Sequence, residues 1–103
     1  MASGTLGQSA PSATTNTTVY TVPASKVASI IVSICNRGSA SGTVRLAIAA
    51  TGSPGDSEWL EYDTTINANS VLERSGIVAS AAKNVVVYCS VATFSVNVFG
   101  FEE

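Results

Sequence analysis

The amino-acid sequence predicts an all-β fold, an antiparallel sandwich of about seven to eight short strands. Residues 44–48 and 94–98 alternate apolar with polar or small side chains, and this period of two is typical of strands with one buried face. Groups of Gly, Ser, Asn and Pro recur roughly every ten residues, as turns between such strands do. No stretch has the periodicity of a long amphipathic helix. Immunoglobulin-like and jelly-roll topologies both fit this pattern.

Composition limits the classes of function. The chain has 103 residues, enough for one domain, and 46% are hydrophobic while only 12% are charged. So few charges suggest a surface largely covered by partners, because interface cores are depleted of charged residues. The alternative is a stable monomer whose surface is coated with Ser and Thr. The five basic residues are scattered singly and the formal net charge is −2, which argues against nucleic-acid binding. We expect no membrane segment, no secretory signal and folding in the cytosol.

The first half of the domain is predicted to contain three strands, of which the middle one is long and apolar. Residues 17–22 form an entry strand that Pro23 ends, because proline has no amide for a ladder bond. Residues 30–35 are apolar on both faces, as expected for a strand inside a sandwich. A polar turn at 36–42 then leads to a return strand at 43–49.

The second half is predicted as four more strands. After the Pro-Gly turn at 51–57, an edge strand at 58–62 places Trp59 with Glu61 on one face and Tyr62 on the other. A short strand at 71–74 is followed by Gly76, which permits a bulge. Residues 79–84 are predicted as a single helical turn. The last two strands span 85–89, apolar throughout, and 94–99.

The first 16 residues are predicted as a separate segment. They carry no charge and consist mostly of Ser, Thr, Ala and Gly, so they cannot bury enough apolar area to fold alone. The domain boundaries are therefore an extended N-terminal arm at 1–16 and a β-sandwich at 17–103. The arm is either an ordinary mobile tail or a segment that becomes ordered across a neighbouring subunit.

Several segments resemble one family. YTVPA at 20–24, ICNRGSAS at 34–41 with TVRLAIA at 43–49, YDT at 62–64 and FSVNVFGFE at 94–102 are similar to small virion structural proteins of tailed bacteriophages, and GQ at 7–8 extends the similarity. The similarity covers most of the chain. Its motifs are turns and strands, without catalytic signatures.

The resemblance implies a non-enzymatic virion protein, made in the host cytoplasm. It implies a head decoration or cement protein that binds the major capsid protein, and a homo-oligomer, with a trimer favoured at a three-fold lattice position. The alternative is a tail or baseplate module, including one that faces a glycan or receptor. The candidate partner-binding residues are Leu6, Gln8 and Pro11 in the arm and Trp59 and Tyr62 on the edge strand.

Residues for catalysis are scarce. The chain lacks histidine, which removes Ser-His and Cys-His nucleophile systems and the commonest metal ligand. Cys35 and Cys89 are too few for a zinc site and are expected to be free, buried thiols. We therefore expect no enzyme activity, no cofactor and no metal.

One acidic segment leaves alternatives open. Its carboxylates suit a solvated edge that prevents strand pairing, a calcium loop of irregular pattern, or, with Trp59 and Tyr62 beside them, a sugar-binding surface. The paired-carboxylate spacing of a glycosidase is not diagnostic here. The four residues are Asp56, Glu58, Glu61 and Asp63.

Overall fold

A computed structural model describes residues 3–103 and confirms the all-β sandwich. Eight antiparallel strands form two four-stranded sheets that pack face to face. The strands are β1 (Ser3–Ser9), β2 (Thr17–Thr21), β3 (Ala28–Asn36), β4 (Gly42–Ala49), β5 (Trp59–Ile66), β6 (Val71–Ala79), β7 (Asn84–Cys89) and β8 (Phe94–Glu102).

The strand order identifies a jelly roll. Sheet A has the order β1-β8-β3-β6, and sheet B has the order β2-β7-β4-β5. Each strand of the first half pairs with its counterpart in the second half, β1 with β8, β2 with β7, β3 with β6 and β4 with β5. The chain therefore resembles one long hairpin rolled up so that successive pairs fall in alternate sheets, which is the jelly-roll arrangement. This order decides between the two topologies that fit the sequence.

The core lies between the inner faces of the two sheets. Val44 and Leu46 are fully buried and Ile48 packs against the core, as the alternation at 44–48 predicts. The inward strand face predicted at 94–98 is also confirmed. Burying each such side chain contributes about 1.5–3 kcal/mol. The largest fully buried side chains are Phe94, Ile30, Ile34, Leu46 and eight valines.

The described part of the predicted N-terminal arm includes a strand of the sandwich. Ser3–Ser9 is strand β1, an edge strand of sheet A in antiparallel register with β8. Its hydrogen bonds come from the backbone, so an uncharged Ser/Thr/Gly sequence without apolar alternation still forms a strand where β8 offers a free edge. Gly7 is required there, because a Cβ would overlap the carbonyl of Val19. Residues 1–2 of the predicted arm lie outside the described residues.

Strand β6 is longer than the sequence indicated. It continues from Val71 to Ala79, and the predicted bulge is confirmed at Gly76, whose φ is +73°. The register passes from Ile30 opposite Ile77 to Val32 opposite Arg74, so one residue of β3 faces two of β6.

The predicted helical turn at 79–84 is absent. There β6 ends at Ala79 and β7 begins at Asn84, with a turn between them. The helical structure found across residues 3–103 is one short 3₁₀ turn, Asp56–Glu58. Within that range no helix has the length and apolar character to cross a membrane.

One buried hydrogen bond joins the two sheets. The Tyr20 hydroxyl, on β2 of sheet B, donates to Glu102 Oε2, on β8 of sheet A, at 2.5 Å. Both residues are buried. Burial, together with this hydrogen bond to the carboxylate, holds the pKa of Tyr20 well above its ordinary value of about 10.

Replacing Tyr20 with phenylalanine is expected to lower the free energy of unfolding by about 1.5–3 kcal/mol at pH 7, because Glu102 loses its donor. The tyrosine pKa is raised in the folded state, so this contribution is complete below pH 10 and is lost as the pH rises through the folded pKa. Urea unfolding of both proteins from pH 7 to 12 measures the difference. A difference in free energy of unfolding between the two proteins that stays constant up to pH 12 would contradict this role of the Tyr20 hydroxyl.

Candidate functional site

The outer face of sheet B carries an aromatic cluster, formed by Trp59, Tyr62 and Tyr88 around Arg45. The Trp59 and Tyr62 ring centroids lie 5.6 Å apart at an interplanar angle of 73°, an edge-to-face pair. The Arg45 guanidinium carbon lies 4.1 Å from the Tyr62 ring centroid and 4.7 Å from that of Tyr88. Both distances are within the range of cation–π attraction, so the cation links the two tyrosines.

A β-bulge places two partners beside Arg45. In the β4–β5 pairing Val44 is opposite Thr64 and Leu46 is opposite Glu61, so Tyr62 and Asp63 together face Arg45. Asp63 adopts a left-handed backbone with φ of 52°. Its Oδ1 and Oδ2 accept hydrogen bonds from Arg45 Nε at 2.7 Å and Nη2 at 3.3 Å. The bulge thus gives one arginine both a cation–π contact and a bidentate ion pair.

The sequence prediction that Trp59 and Tyr62 lie on opposite faces of the edge strand is wrong. A second irregularity, where Leu46 pairs with Glu61 but Ala47 pairs with Trp59, leaves Leu60 as an extra residue and shifts the alternation. Trp59 therefore lies on the outer face with Tyr62. It is half-buried there and packs on small side chains of the adjacent strand β4, Ala47 and Ala49, and on Val86 of the next strand, β7. The predicted edge position is correct, because β5 is an edge strand of sheet B.

The carboxylates of the acidic segment point to different partners. Glu58 accepts hydrogen bonds from two backbone amides of the β4–β5 loop, at 2.8 and 2.9 Å, which lower its pKa. Glu61 accepts one from the Thr64 hydroxyl at 2.6 Å and pairs with Arg74, and both contacts lower its pKa. The ion pair with Asp63 raises the pKa of Arg45. Across residues 3–103, no three His, Cys, Asp or Glu side chains converge on a metal position.

The outer face of sheet A carries a second feature that sequence reasoning missed. Five exposed apolar side chains form an apolar patch at one end of this face. Phe99 is paired with Ile31 on neighbouring strands, and Phe101 and Val78 flank Ser29. Together they expose on the order of 400 Å², within the size range of functional patches. Their exposed fractions are Val27 46%, Ile31 39%, Val78 69%, Phe99 37% and Phe101 42%.

The remainder of this face is mostly polar and uncharged. Gln8 Nε2 donates to Asn97 Oδ1 at 2.8 Å, beside an open pocket of about 350 Å³ along β1 and β8. Among the strand residues facing outward on sheet A, Glu73 is the charged one. An apolar patch bordered by hydroxyl and amide groups has the composition of a protein interface.

The predicted contact residues separate into two groups. Trp59 and Tyr62 belong to the aromatic cluster, and Gln8 is exposed on sheet A. Leu6 is half-buried and packs against the core, and Pro11 is buried. Leu6 and Pro11 therefore contribute mainly to the interior of the domain.

The two thiols are free and lie in different sheets. Cys89 is buried, and burial raises its pKa to about 11. Cys35 is half-buried on the outward side of β3, so the expectation of two buried thiols holds only for Cys89.

The two outer faces therefore differ in chemistry. Sheet A presents an apolar patch in an almost uncharged surface, whereas sheet B presents aromatic rings around an ion pair.

No model of a known protein family, no curated protein and no solved structure matches the chain.

Proposed function

We propose that this chain is a non-enzymatic structural protein of a virus particle, a head decoration or cement protein that binds the major capsid protein of a tailed bacteriophage. The observation that carries the proposal is the apolar patch on the weakly charged outer face of sheet A. The resemblance of segments 20–24, 34–49 and 94–102 to such virion proteins supports it. Jelly rolls also occur in viral capsid domains, which is a fold-level analogy only.

The patch suits a rigid protein partner. Its residues lie on or beside the two central strands of sheet A, β3 and β8, which are held on both sides by neighbouring strands. Docking therefore requires little ordering of the backbone, and this lowers the entropic cost of association. Four strands about 4.8 Å apart and some eight residues long offer a face of roughly 500 Å² in projection, comparable to one side of a standard interface.

The mechanism is attachment by burial. The apolar patch would pack on the capsid subunit, the surrounding Ser, Thr, Asn and Gln side chains would hydrogen-bond at the rim, and the sandwich would bridge neighbouring subunits. A three-fold position on the shell would give each copy the same environment and produce a trimer.

The test uses particles made from the genome that encodes the chain. Particles are purified on a density gradient and labelled with gold-conjugated antibody. We expect gold distributed over the head. Gold at a single vertex would favour the tail alternative, and particles without the protein would overturn the virion proposal.

A charge placed in the apolar patch is expected to prevent attachment. Val78→Asp should weaken binding to particles by more than about thirtyfold, roughly 2 kcal/mol, because an aspartate would be desolvated against the partner. Folding should change little, since Val78 is 69% exposed on an edge strand. Co-sedimentation with particles that lack the protein measures the affinity.

The matched control is Val71→Asp. Val71 lies on the same strand and face and is 60% exposed, but it stands at the opposite end from the patch. This variant should bind within about threefold of the parent. Equal weakening by both substitutions would argue that the patch has no special role.

The second candidate function is a tail or baseplate module that faces a receptor. The aromatic cluster on sheet B favours it, because Trp, Tyr and Arg are enriched at recognition sites. The position of the gold label separates this candidate from head decoration.

A further inference from the structure

We propose that the aromatic cluster of sheet B binds carbohydrate, with a sugar ring packed on Tyr62 and Trp59 and its hydroxyl groups hydrogen-bonded to Asp63 and Arg45. This activity goes beyond attachment to a particle. It uses the face opposite the apolar patch, so a protein docked through sheet A would present the cluster to the medium.

The rings supply an apolar surface of suitable size. Tyr62 is 57% exposed, and the Trp59 ring meets it at 73°. The two rings therefore form an angled corner, open to solvent at Tyr62. A pyranose ring has an apolar face of C–H groups that packs on an aromatic ring, while its hydroxyl groups project at the edge.

The ion pair supplies the polar groups at that edge. A carboxylate has about four acceptor positions, and Asp63 uses two of them for Arg45. The Asp63 side chain is 50% exposed and that of Arg45 is 27% exposed. Acceptor and donor positions thus remain beside the Tyr62 ring, and adjacent sugar hydroxyls need this combination.

The site is rigid before any ligand arrives. Arg45 contacts both Tyr62 and Tyr88, and Trp59 packs on fully buried small residues. The left-handed backbone of Asp63 costs free energy and persists because the bulge and the ion pair hold it. Such outliers are frequent at binding sites, and a fixed arrangement reduces the ordering cost of binding.

The chemistry favours a sugar over a second protein surface. A protein covering the cluster would remove the Arg45–Asp63 pair from water, and desolvating an ion pair is costly. Aspartate is also depleted in interface cores. A sugar leaves the pair partly hydrated and replaces lost water with hydroxyl groups. Sheet A already offers the face better suited to a protein.

The experiment uses the full chain in solution. An array of bacterial and eukaryotic oligosaccharides is screened first, and each binder is titrated while Trp59 fluorescence is followed. Trp59 is the single tryptophan of the chain, so its emission reports directly on the cluster. We expect a saturable spectral change, and Tyr62→Ala should weaken binding about tenfold or more while the melting temperature stays nearly unchanged.

Two controls complete the test. Asp63→Ala should also weaken binding, while Phe101→Ser, on the opposite face, should leave the titration unchanged. Absence of any binder on the array, or equal affinity of the Tyr62→Ala protein, would overturn the proposal. So would shielding of Trp59 from iodide quenching on particles, since the cluster would then be a protein contact. The readout in free protein is independent of attachment, so a failure here leaves the virion proposal standing.

Discussion

Replacing Asn36 with alanine is expected to lower the free energy of unfolding by about 3–4 kcal/mol, because several buried groups would lose their partners at once. Asn36 is fully buried. Its Nδ2 donates to the carbonyls of Ala40 at 2.8 Å and Ile66 at 3.1 Å. Its Oδ1 accepts from the Gly38 amide at 2.9 Å and the Thr93 hydroxyl at 3.0 Å. One side chain thus connects the β3–β4 loop, the end of β5 and the β7–β8 loop.

Urea unfolding at pH 7 measures this effect. Asn36→Asp has almost the same volume but turns a carboxylate toward carbonyl oxygens, so it should be at least as destabilising. Asn97→Ala is the control, since the Asn97 side chain contacts Gln8 at the surface, and we expect a loss below about 1 kcal/mol. A similarly small loss for Asn36→Ala would mean that the loops are held independently of this residue.

Deleting the first nine residues is expected to destabilise the whole domain, with a fall in melting temperature on the order of 20 °C or loss of the cooperative transition. The deletion removes β1, whose backbone pairs with β8 from Ser3 opposite Phe101 to Ser9 opposite Val96. It also removes Leu6, which packs against the core, and leaves β8 as an exposed edge prone to association.

Differential scanning calorimetry on the full and shortened chains measures the effect. The control is Gln8→Ala, which keeps β1 and loses one exposed hydrogen bond, so its melting temperature should change by a few degrees at most. A shortened chain that melts like the full one would mean that this segment is an attached arm and not part of the structural core.

The sequence was sufficient to predict the strands whose side chains alternate. Residues 44–48 and 94–98 show which face is inside because burial of apolar area itself produces the pattern. Strand β1 has no such pattern, since its pairing is carried by backbone groups and depends on a free edge of β8. That dependence is a property of the topology and could not be predicted from local sequence.

The residues of the candidate sites could also be identified from local sequence, but their arrangement depends on strand pairing. The sequence identifies Trp59 and Tyr62 as candidates because they are large aromatic residues among carboxylates. Their common face results from two register shifts, which have no reliable sequence signal. Ile31, Phe99 and Phe101 alternate visibly with buried neighbours. Only the β3–β8 pairing brings them together as one patch.

The segment 34–41 has a role in folding. ICNRGSAS at 34–41 contains Asn36 and the turn that its side chain stabilises. Asn36 is therefore accounted for by folding, and this segment does not identify partner contacts.

The orientation of the protein on particles tests the central claim most directly. Cryo-electron microscopy of particles made from the encoding genome, with icosahedral averaging and fitting of the eight-stranded sandwich, gives that orientation. We expect density on the head shell with sheet A facing the capsid subunit and Val78, Phe99 and Phe101 in the contact. A sandwich bound through the Trp59 and Tyr62 face, or a head shell without its density, would contradict the account.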